Sequence, residues 1–246
     1  MTRVLLLSDL HLPNTPSPLR TAFQAFLDGP ARGASAVYIL GDLFEYWIGD
    51  AEGARDYAPE TAALRRLAES GVSVYFMHGN RDFLIGAKFA RIAGMHLLAD
   101  PQRIQLGGVS TLLSHGDLWC TDDHAYQRWR RFSRHARVQA AFRTLPEFFR
   151  RCIAGTARSQ SRRGKARKTM AIMDVNAAAI SAAFSRHGVA RMIHGHTHRP
   201  GDHHLALADR AAERIVLADW RPGHCEYLVV DERGVHRETV GDGVPN

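Results

Sequence analysis

Short apolar runs alternate along the chain with polar turns and with stretches of helical periodicity. Such runs predict buried strands. They occur at 3–8, 36–40, 72–77, 103–106, 109–113, 189–193, 214–217 and 226–230. Gly107-Gly108 stands between two of them and predicts a hairpin. Two apolar-periodic segments, 59–70 and 171–187, each stop before a glycine and are predicted helices.

The order of these elements predicts the fold class. Strands and helices alternate early, and hairpins follow later, so we expect a mixed α/β protein with two packed mixed sheets flanked by helices. We expect one domain over 1–246, with a helical insertion at about 122–170. The apolar run before Ser8 is too short for a signal peptide, and we expect a cytoplasmic protein.

Charge is distributed unevenly over the 246 residues. The net charge is +7, but residues 126–168 contain fourteen Lys and Arg and one acid, Glu147. That segment therefore carries +13 and the remainder −6. A strongly basic segment on an acidic body indicates an anionic partner: a phosphate-bearing substrate, a membrane surface or nucleic acid.

Potential metal ligands follow five of the predicted strands. They are Asp9, His11, Asp42, Asn80, His115, His196 and His198. Ligands in α/β proteins gather at the carboxyl ends of strands, so we expect these seven side chains to meet at one rim. Carboxylate oxygens and imidazole nitrogens suit Mn²⁺, Fe²⁺ or Zn²⁺. Seven ligands suffice for two ions that share one aspartate, an arrangement that serves phosphoryl displacement.

The motifs that carry these residues resemble the five blocks of the calcineurin-like metallophosphoesterases. The blocks are Asp9-x-His11, Gly41-Asp42, Gly79-Asn80-Arg81-Asp82, His115-Gly116-Asp117 and Gly195-His196-Thr197-His198. Longer stretches at 38–50, 78–84, 120–123, 171–176 and 193–200 are similar to the UDP-2,3-diacylglucosamine diphosphatase family of lipid A biosynthesis. The resemblance extends over residues 4–235.

The resemblance implies a dinuclear site, with Mn²⁺ as the expected metal. One ion would be held by Asp9, His11, Asp42 and His198, and the other by Asp42, Asn80, His115 and His196. Water activated by the metals would attack the α-phosphorus of UDP-2,3-diacylglucosamine and release UMP and 2,3-diacylglucosamine 1-phosphate. The catalytic residues so implied are Asp42, Asn80, Arg81 and His196.

The same resemblance implies the substrate contacts. They are Asn80, Arg81, Asp123, Tyr126, Ser161, Lys165, Lys168 and His196. Arg81 takes the place at which many members of the wider superfamily have a histidine. An arginine does not serve as a general acid near neutral pH, but it holds phosphate in a bidentate manner. This difference favours the diphosphatase family over general phosphatases and nucleases.

The basic segment and its interleaved aromatic residues predict a lid over the metal site that also faces the membrane. We therefore expect a peripheral protein on the cytoplasmic face of the inner membrane, acting as a monomer on a lipid substrate and not on nucleic acid. Two alternatives differ in class. One is another dinuclear metallophosphoesterase acting on nucleotides or nucleic acid. The other is a metal-free scaffold, which the seven retained ligand types disfavour.

Overall fold

Two mixed β-sheets form the centre of the molecule. The computed structural model describes residues 3–167, 174–207 and 210–241 and, within 158–167, the backbone alone. The first sheet has the order β11-β10-β1-β2-β3-β4, and the second has the order β5-β6-β7-β9-β8. The strands are β1 Val4–Leu7, β2 Ala36–Ile39, β3 Ser73–Met77, β4 Met95–Leu98, β5 Gln102–Leu106, β6 Val109–Ser114, β7 Arg191–His194, β8 Gly201–Ala206, β9 Ala211–Val216, β10 Glu226–Asp231 and β11 Gly234–Thr239.

Eight α-helices accompany these strands in the described part of the chain. They are α1 Pro18–Asp28, α2 Asp50–Asp56, α3 Ala58–Glu69, α4 Ala87–Ala93, α5 His124–Ser133, α6 Ala136–Thr144, α7 Glu147–Arg167 and α8 Ala177–His187. Short 3₁₀ turns occur at Pro30–Gly33 and Asp117–Trp119. No helix among the described residues is both long and apolar enough to cross a bilayer.

The core consists of three apolar clusters that explain the layering. Side chains from both sheets, such as Leu6 of β1 and Ile193 of β7, pack together between them. The outer face of the first sheet packs against Phe23 and Phe26 of α1, and against α3 and α4. Phe184 of α8 covers the outer face of the second sheet. The predicted fold class, two packed mixed sheets flanked by helices, is therefore confirmed.

The predicted strands and the hairpin are confirmed with small shifts at their ends. Gly107 and Gly108 both have positive φ, as a tight hairpin turn requires. The helix predicted over 171–187 begins later, at Ala177, because the Asn176 side chain caps it by accepting from the Ala179 N–H at 3.0 Å. Residues 174–176 are not helical, and 171–173 lie outside the described residues.

Helices α5, α6 and α7 follow one another in the basic segment, as its composition predicts. Helix α7 is attached to α2 by ion pairs. Arg150 donates to the Glu52 carboxylate at 2.7 Å and to the Ile48 carbonyl at 2.5 Å. Arg151 donates to the Asp56 carboxylate at 2.9 Å. These contacts hold the start of α7 against the loop that follows β2.

Candidate metal centre

The carboxyl ends of five strands meet at one rim of the two sheets. Strands β1, β2 and β3 are parallel neighbours, as are β6 and β7, so each group ends at a common edge. The loops after these strands carry the seven candidate ligands: Asp9, His11, Asp42, Asn80, His115, His196 and His198. The sequence prediction grouped residues far apart in the chain, and the fold places them side by side.

One group of converging ligand atoms consists of Asp9, His11 and His198. Asp9 Oδ1 lies 3.4 Å from His198 Nε2 and 3.9 Å from His11 Nε2. The two imidazole Nε2 atoms are 3.4 Å apart. Asp9 is fully buried, so its carboxylate meets this group and not bulk water.

A second group consists of Asp9, Asp42 and His115. Asp42 lies between the two groups, because its Oδ1 is 3.9 Å from His115 Nε2 and its Oδ2 is 3.8 Å from His11 Nε2. Asn80 Oδ1 lies 3.0 Å from His115 Nε2. The His196 ring is next to the His115 ring, with centroids 4.9 Å apart. Asp42 is thus placed where a bridging carboxylate would have to be.

An oxygen atom lies near the other ring nitrogen of three of the imidazoles. His115 Nδ1 is 2.9 Å from the Leu40 carbonyl, which requires a proton on Nδ1 and directs Nε2 into the site. Glu45 Oε2 lies 3.5 Å from His11 Nδ1, and Asp219 Oδ2 lies 3.4 Å from His198 Nδ1. A carboxylate behind a histidine is the usual support of a metal-binding imidazole.

The sequence prediction gave no role to Glu45 or Asp219. Asp219 comes soon after the end of β9, so the rule that located the other ligands could have found it. Glu45 is three residues beyond Asp42 in the same block. Its role depends on the conformation of the loop, which the spacing does not specify.

The backbone is strained at the candidate ligands. Within the described residues, the non-glycine residues with positive φ are Asp9, His11, Asp42, His196 and His198, with φ from 49° to 70°. Left-handed backbone costs an ordinary L-residue about 1–2 kcal/mol. Such strain persists where a site requires it, and its restriction to five of the seven candidate ligands marks this rim as functional.

Glycine allows the ligand loops to approach one another. A Cβ at Gly195 would lie 2.3 Å from Asp9 Oδ2, and a Cβ at Gly79 would lie 2.1 Å from Asp42 Oδ1. Both distances are shorter than any real contact, so a larger residue would displace a carboxylate of the site. These two glycines precede His196 and Asn80 in their motifs.

Hydrogen bonds hold the carboxylates in place. Asp9 Oδ2 accepts from Ser8 Oγ at 2.7 Å and from the His196 N–H at 2.8 Å, which leaves Oδ1 directed toward the imidazoles. Asp42 Oδ1 accepts from the Arg81 N–H at 2.8 Å. Asp82, the last residue of the Asn80 motif, accepts from the Leu43 and Gly79 N–H groups at 2.8 and 2.9 Å.

The charge state of the site follows from burial and from the nearby ionisable groups. Burial opposes ionisation of Asp9, but the imidazoles of His198, His115 and His11 hold its pKa well below the ordinary value. Burial also disfavours the charged form of His198, yet Asp219 and Asp9 raise its pKa to about 9. Burial and the neighbouring His115 lower the pKa of His196 to about 3, so that imidazole is neutral and able to coordinate.

Three of the predicted substrate contacts, Arg81, Tyr126 and Asp123, have described side chains outside the metal-ligand set. The Arg81 Nε is buried and makes no hydrogen bond within the described chain, so it is available for an anion. The Tyr126 hydroxyl donates to Asp117 Oδ2 at 2.6 Å, and its ring stacks 5.9 Å from the His196 ring. Asp123 caps α5 by accepting from the Tyr126 N–H at 3.1 Å.

The remaining predicted contacts are in or beyond α7. Ser161 and Lys165 fall on the helix, but their side chains are not described, and Lys168 lies outside the described residues. His194, which the motif does not require as a ligand, is fully buried, with Nε2 3.2 Å from Arg214 Nη1.

The donor set fits two divalent ions of the Mn²⁺, Fe²⁺ or Zn²⁺ type. Two groups of nitrogen and oxygen atoms converge around Asp9 and Asp42. Their imidazoles are oriented from behind, and one buried carboxylate faces both groups. This mixture of carboxylate, imidazole and amide ligands suits borderline metals, and two such ions side by side serve hydrolysis of phosphate esters and anhydrides.

Comparison with known proteins agrees with this chemistry. The calcineurin-like phosphoesterase family matches residues 2–200, which defines the class of protein. A protein from Edwardsiella ictaluri named UDP-2,3-diacylglucosamine hydrolase is 47% identical over 233 residues, covering 94% of this chain and 90% of its own. A protein of the same name from Aromatoleum aromaticum is 48% identical over 231 residues, covering 94% of each. The chain belongs to this family of calcineurin-like hydrolases.

A solved structure supports the fold alone. Vacuolar Protein Sorting 29 from Cryptosporidium parvum superimposes with a TM-score of 0.50 at 13% identity, covering 100% of this chain and 94% of that one. The predicted family and the prediction of a hydrolase are both confirmed by these comparisons.

Proposed function

We propose that this hydrolase cleaves the diphosphate of UDP-2,3-diacylglucosamine. The products are UMP and 2,3-diacylglucosamine 1-phosphate, a step of lipid A biosynthesis. The relatives at 47% and 48% identity carry the name of this activity. The observation that carries the proposal for this chain is the rim where Asp9, Asp42 and His115 converge, with the buried Nε of Arg81, the residue after Asn80, free of hydrogen bonds within the described residues.

The proposed cofactor is a pair of Mn²⁺ ions. Asp9, His11, Asp42 and His198 would hold one, and Asp42, Asn80, His115 and His196 the other. When bound, the ions supply a water nucleophile at neutral pH and neutralise phosphate charge. The Asp42 carboxylate faces imidazoles from both groups, so it is the residue through which the two positions are linked.

Arg81, Asn80 and His196 are the proposed contacts to the diphosphate. Arg81 is charged at every physiological pH, and its N–H groups can hold two phosphate oxygens and stabilise the charge that develops on them. Asp42 accepts from the Arg81 backbone N–H, so Arg81 belongs to the loop that holds the metal-ligand carboxylate. Asp123, Tyr126, Ser161, Lys165 and Lys168 are the proposed contacts to the glucosamine phosphate.

The helical insertion at about 122–170 is proposed as a lid that also contacts the cytoplasmic face of the inner membrane. Six large apolar side chains there are 36–71% exposed: Trp129, Phe132, Leu145, Phe148, Phe149 and Ile153. Phe142 differs because it packs against the main core. Exposed aromatic residues among arginines suit both acyl chains and an anionic lipid surface.

Turnover of UDP-2,3-diacylglucosamine in mixed micelles, measured as UMP release, tests the activity. We expect release with Mn²⁺, none after chelation, and recovery when Mn²⁺ is restored. Asp42→Ala should abolish release, because both metal positions lose a ligand. Exposed Glu232→Gln is the control and should leave turnover intact.

Two results would contradict the proposal. Substantial turnover by a folded Asp42→Ala variant would exclude the linked metal pair. Faster hydrolysis of single-stranded or duplex DNA than of the lipid nucleotide would exclude the substrate.

A further inference from the structure

Arg134, the residue after α5, connects two loops that carry candidate metal ligands. Its Nη2 donates to the Gly79 carbonyl at 3.0 Å and to Asp117 Oδ2 at 3.0 Å. Gly79 directly precedes Asn80, and Asp117 follows His115 by two residues. One guanidinium therefore joins the loop after β3, in the first sheet, to the loop after β6, in the second.

Asp117 receives two further donors from the same helix. Tyr126 Oη and Arg130 Nε lie 2.6 and 2.9 Å from Asp117 Oδ2, the oxygen that Arg134 also contacts. Asp117 is fully buried, and charged hydrogen bonds in such a place are strong and cost much to break. The cluster thus attaches α5 to the backbone immediately after the His115 ligand.

The cluster extends to the end of β6. Asp100 Oδ1 accepts from Ser114 Oγ at 2.6 Å, and Arg130 Nη2 lies 3.6 Å from Asp100 Oδ2. Ser114 directly precedes His115. The cluster therefore holds the chain on both sides of His115, through Ser114 before it and Asp117 after it. The charges balance within the cluster, as buried ion pairs require.

We propose that Arg134 is a positioning residue that holds the Asn80 and His115 loops at the spacing needed for the second metal ion. The inference rests on the proposed dinuclear centre. The loops that Arg134 joins carry Asn80 and His115, whereas Asp9, His11 and His198, which surround the other position, lie on the loops after β1 and β7. Loss of Arg134 therefore weakens one metal position selectively.

The connection also works in the opposite direction. If packing of α5 against the Asn80 and His115 loops favours binding of the second ion, binding of the ion must favour that packing by the same free energy. Binding of Mn²⁺ should therefore slow amide exchange in α5, although the helix supplies none of the seven candidate ligands. A residue that merely stabilised the fold would produce no such dependence on metal.

The test is titration of full-length protein with Mn²⁺, followed by electron paramagnetic resonance. We expect wild-type protein to bind two ions and to show an exchange-coupled pair. Arg134→Met should raise the Kd of one ion about 10–100-fold, the usual effect of losing an outer partner of a metal site, and leave the other ion bound singly. Arg134→Lys should give a partial loss, because it keeps the charge but lacks the planar fork.

The matched control is Arg131→Met, the same change on an exposed side chain of α5. It should leave both affinities at the wild-type value. Unchanged affinity in a folded Arg134→Met variant would overturn the inference. Fewer than two ions on wild-type protein would instead overturn the dinuclear centre itself.

Hydrogen exchange on wild-type protein keeps the inference testable if the methionine variant does not fold. We expect Mn²⁺ to protect the peptide that contains α5 along with the Asn80 loop. Protection of the Asn80 loop without any change in α5 would contradict the proposed link.

Discussion

At the scale of single residues, the site combines competent ligand chemistry with an unfavourable backbone. Five candidate ligands have φ between 49° and 70°. Glycine adopts this region without penalty, and other residues do not. The free energy spent here is offset by the large buried core, which includes Phe23, Phe76 and Phe184. Function and stability should therefore respond in opposite directions at these positions.

His198 allows that opposition to be measured. Its φ is 54°, so His198→Gly should be more stable than His198→Ala by about 1 kcal/mol, although both lose the ligand. The measurement is urea unfolding with chelator present. The control is Ala62→Gly at an exposed position of α3. There glycine should be less stable than alanine by about 1 kcal/mol, the opposite order to that expected at His198. Equal stability of the two His198 variants would exclude backbone strain.

Asp219 should influence the site without belonging to the ligand set. Its carboxylate lies 3.4 Å from His198 Nδ1 and raises the pKa of that imidazole. Asp219→Asn should lower Mn²⁺ affinity about 10–100-fold, and excess Mn²⁺ should restore turnover. Glu232→Gln, which alters an exposed carboxylate, should change neither quantity. A loss that excess metal does not restore would contradict a role through His198.

A site residue could be predicted from the sequence when the end of a strand fixes its position, and not when loop conformation or helix packing does. Asp9, Asn80 and His115 follow strands with clear apolar patterns, so the sequence alone places them at one rim. The contacts of Glu45 and Arg134 depend on the conformation of a loop and on a helix that packs against distant loops. Neither feature has a periodic signal in the sequence.

At the scale of elements, the buried strands could be predicted, and the edge strand β5 could be found through its hairpin with β6, but the edge strands β4, β8 and β11 could not. Strand β8, Gly201–Ala206, is largely exposed and polar, and β11, Gly234–Thr239, is only half-buried. Their pairing comes from a neighbouring strand and not from their own hydrophobic pattern. The attachment of α7 to α2 was equally inaccessible, because Arg150 and Glu52 are 98 residues apart.

The Arg150–Glu52 pair should make the attachment of α7 sensitive to acid. The hydrogen bond from Arg150 lowers the pKa of Glu52 despite partial burial. A depressed carboxyl pKa stabilises the folded protein above the ordinary glutamate value of about 4.3 and loses that effect as pH falls through the folded-state value. Glu52→Gln should therefore lower the melting temperature at pH 7, and the difference from wild type should shrink as the pH falls below the ordinary glutamate value.

Thermal unfolding of chelated protein across this range is the measurement. Glu69→Gln is the control, because Glu69 pairs with Arg65 on an exposed helix face, where an ion pair contributes little. A Glu52→Gln deficit that stays constant with pH would show that the pair acts by packing alone.

At the scale of the whole molecule, charge and exposed apolar surface occur in the same segment. Residues 126–168 carry +13, whereas the rest of the chain carries −6. Of the eight large apolar side chains exposed within the described residues, six lie at 129–153, and only Ile92 and Leu97 lie elsewhere. A surface that meets anionic lipid uses both properties together.

We therefore expect membrane association to depend on both the basic charge and the exposed apolar surface. We expect the protein to sediment with vesicles of phosphatidylglycerol and to be released by salt, because each basic residue near such a surface contributes about 1 kcal/mol that is screened by ions. Phe148→Ser with Phe149→Ser should reduce binding at low salt, since these side chains are 71% and 55% exposed. Ile92→Ser with Leu97→Ser removes exposed apolar surface outside the basic segment and should leave binding unchanged. Equal loss of vesicle binding in both double variants would show that exposed apolar surface anywhere on the protein suffices. Equally strong binding to neutral phosphatidylcholine and to phosphatidylglycerol would show that the charge makes no contribution.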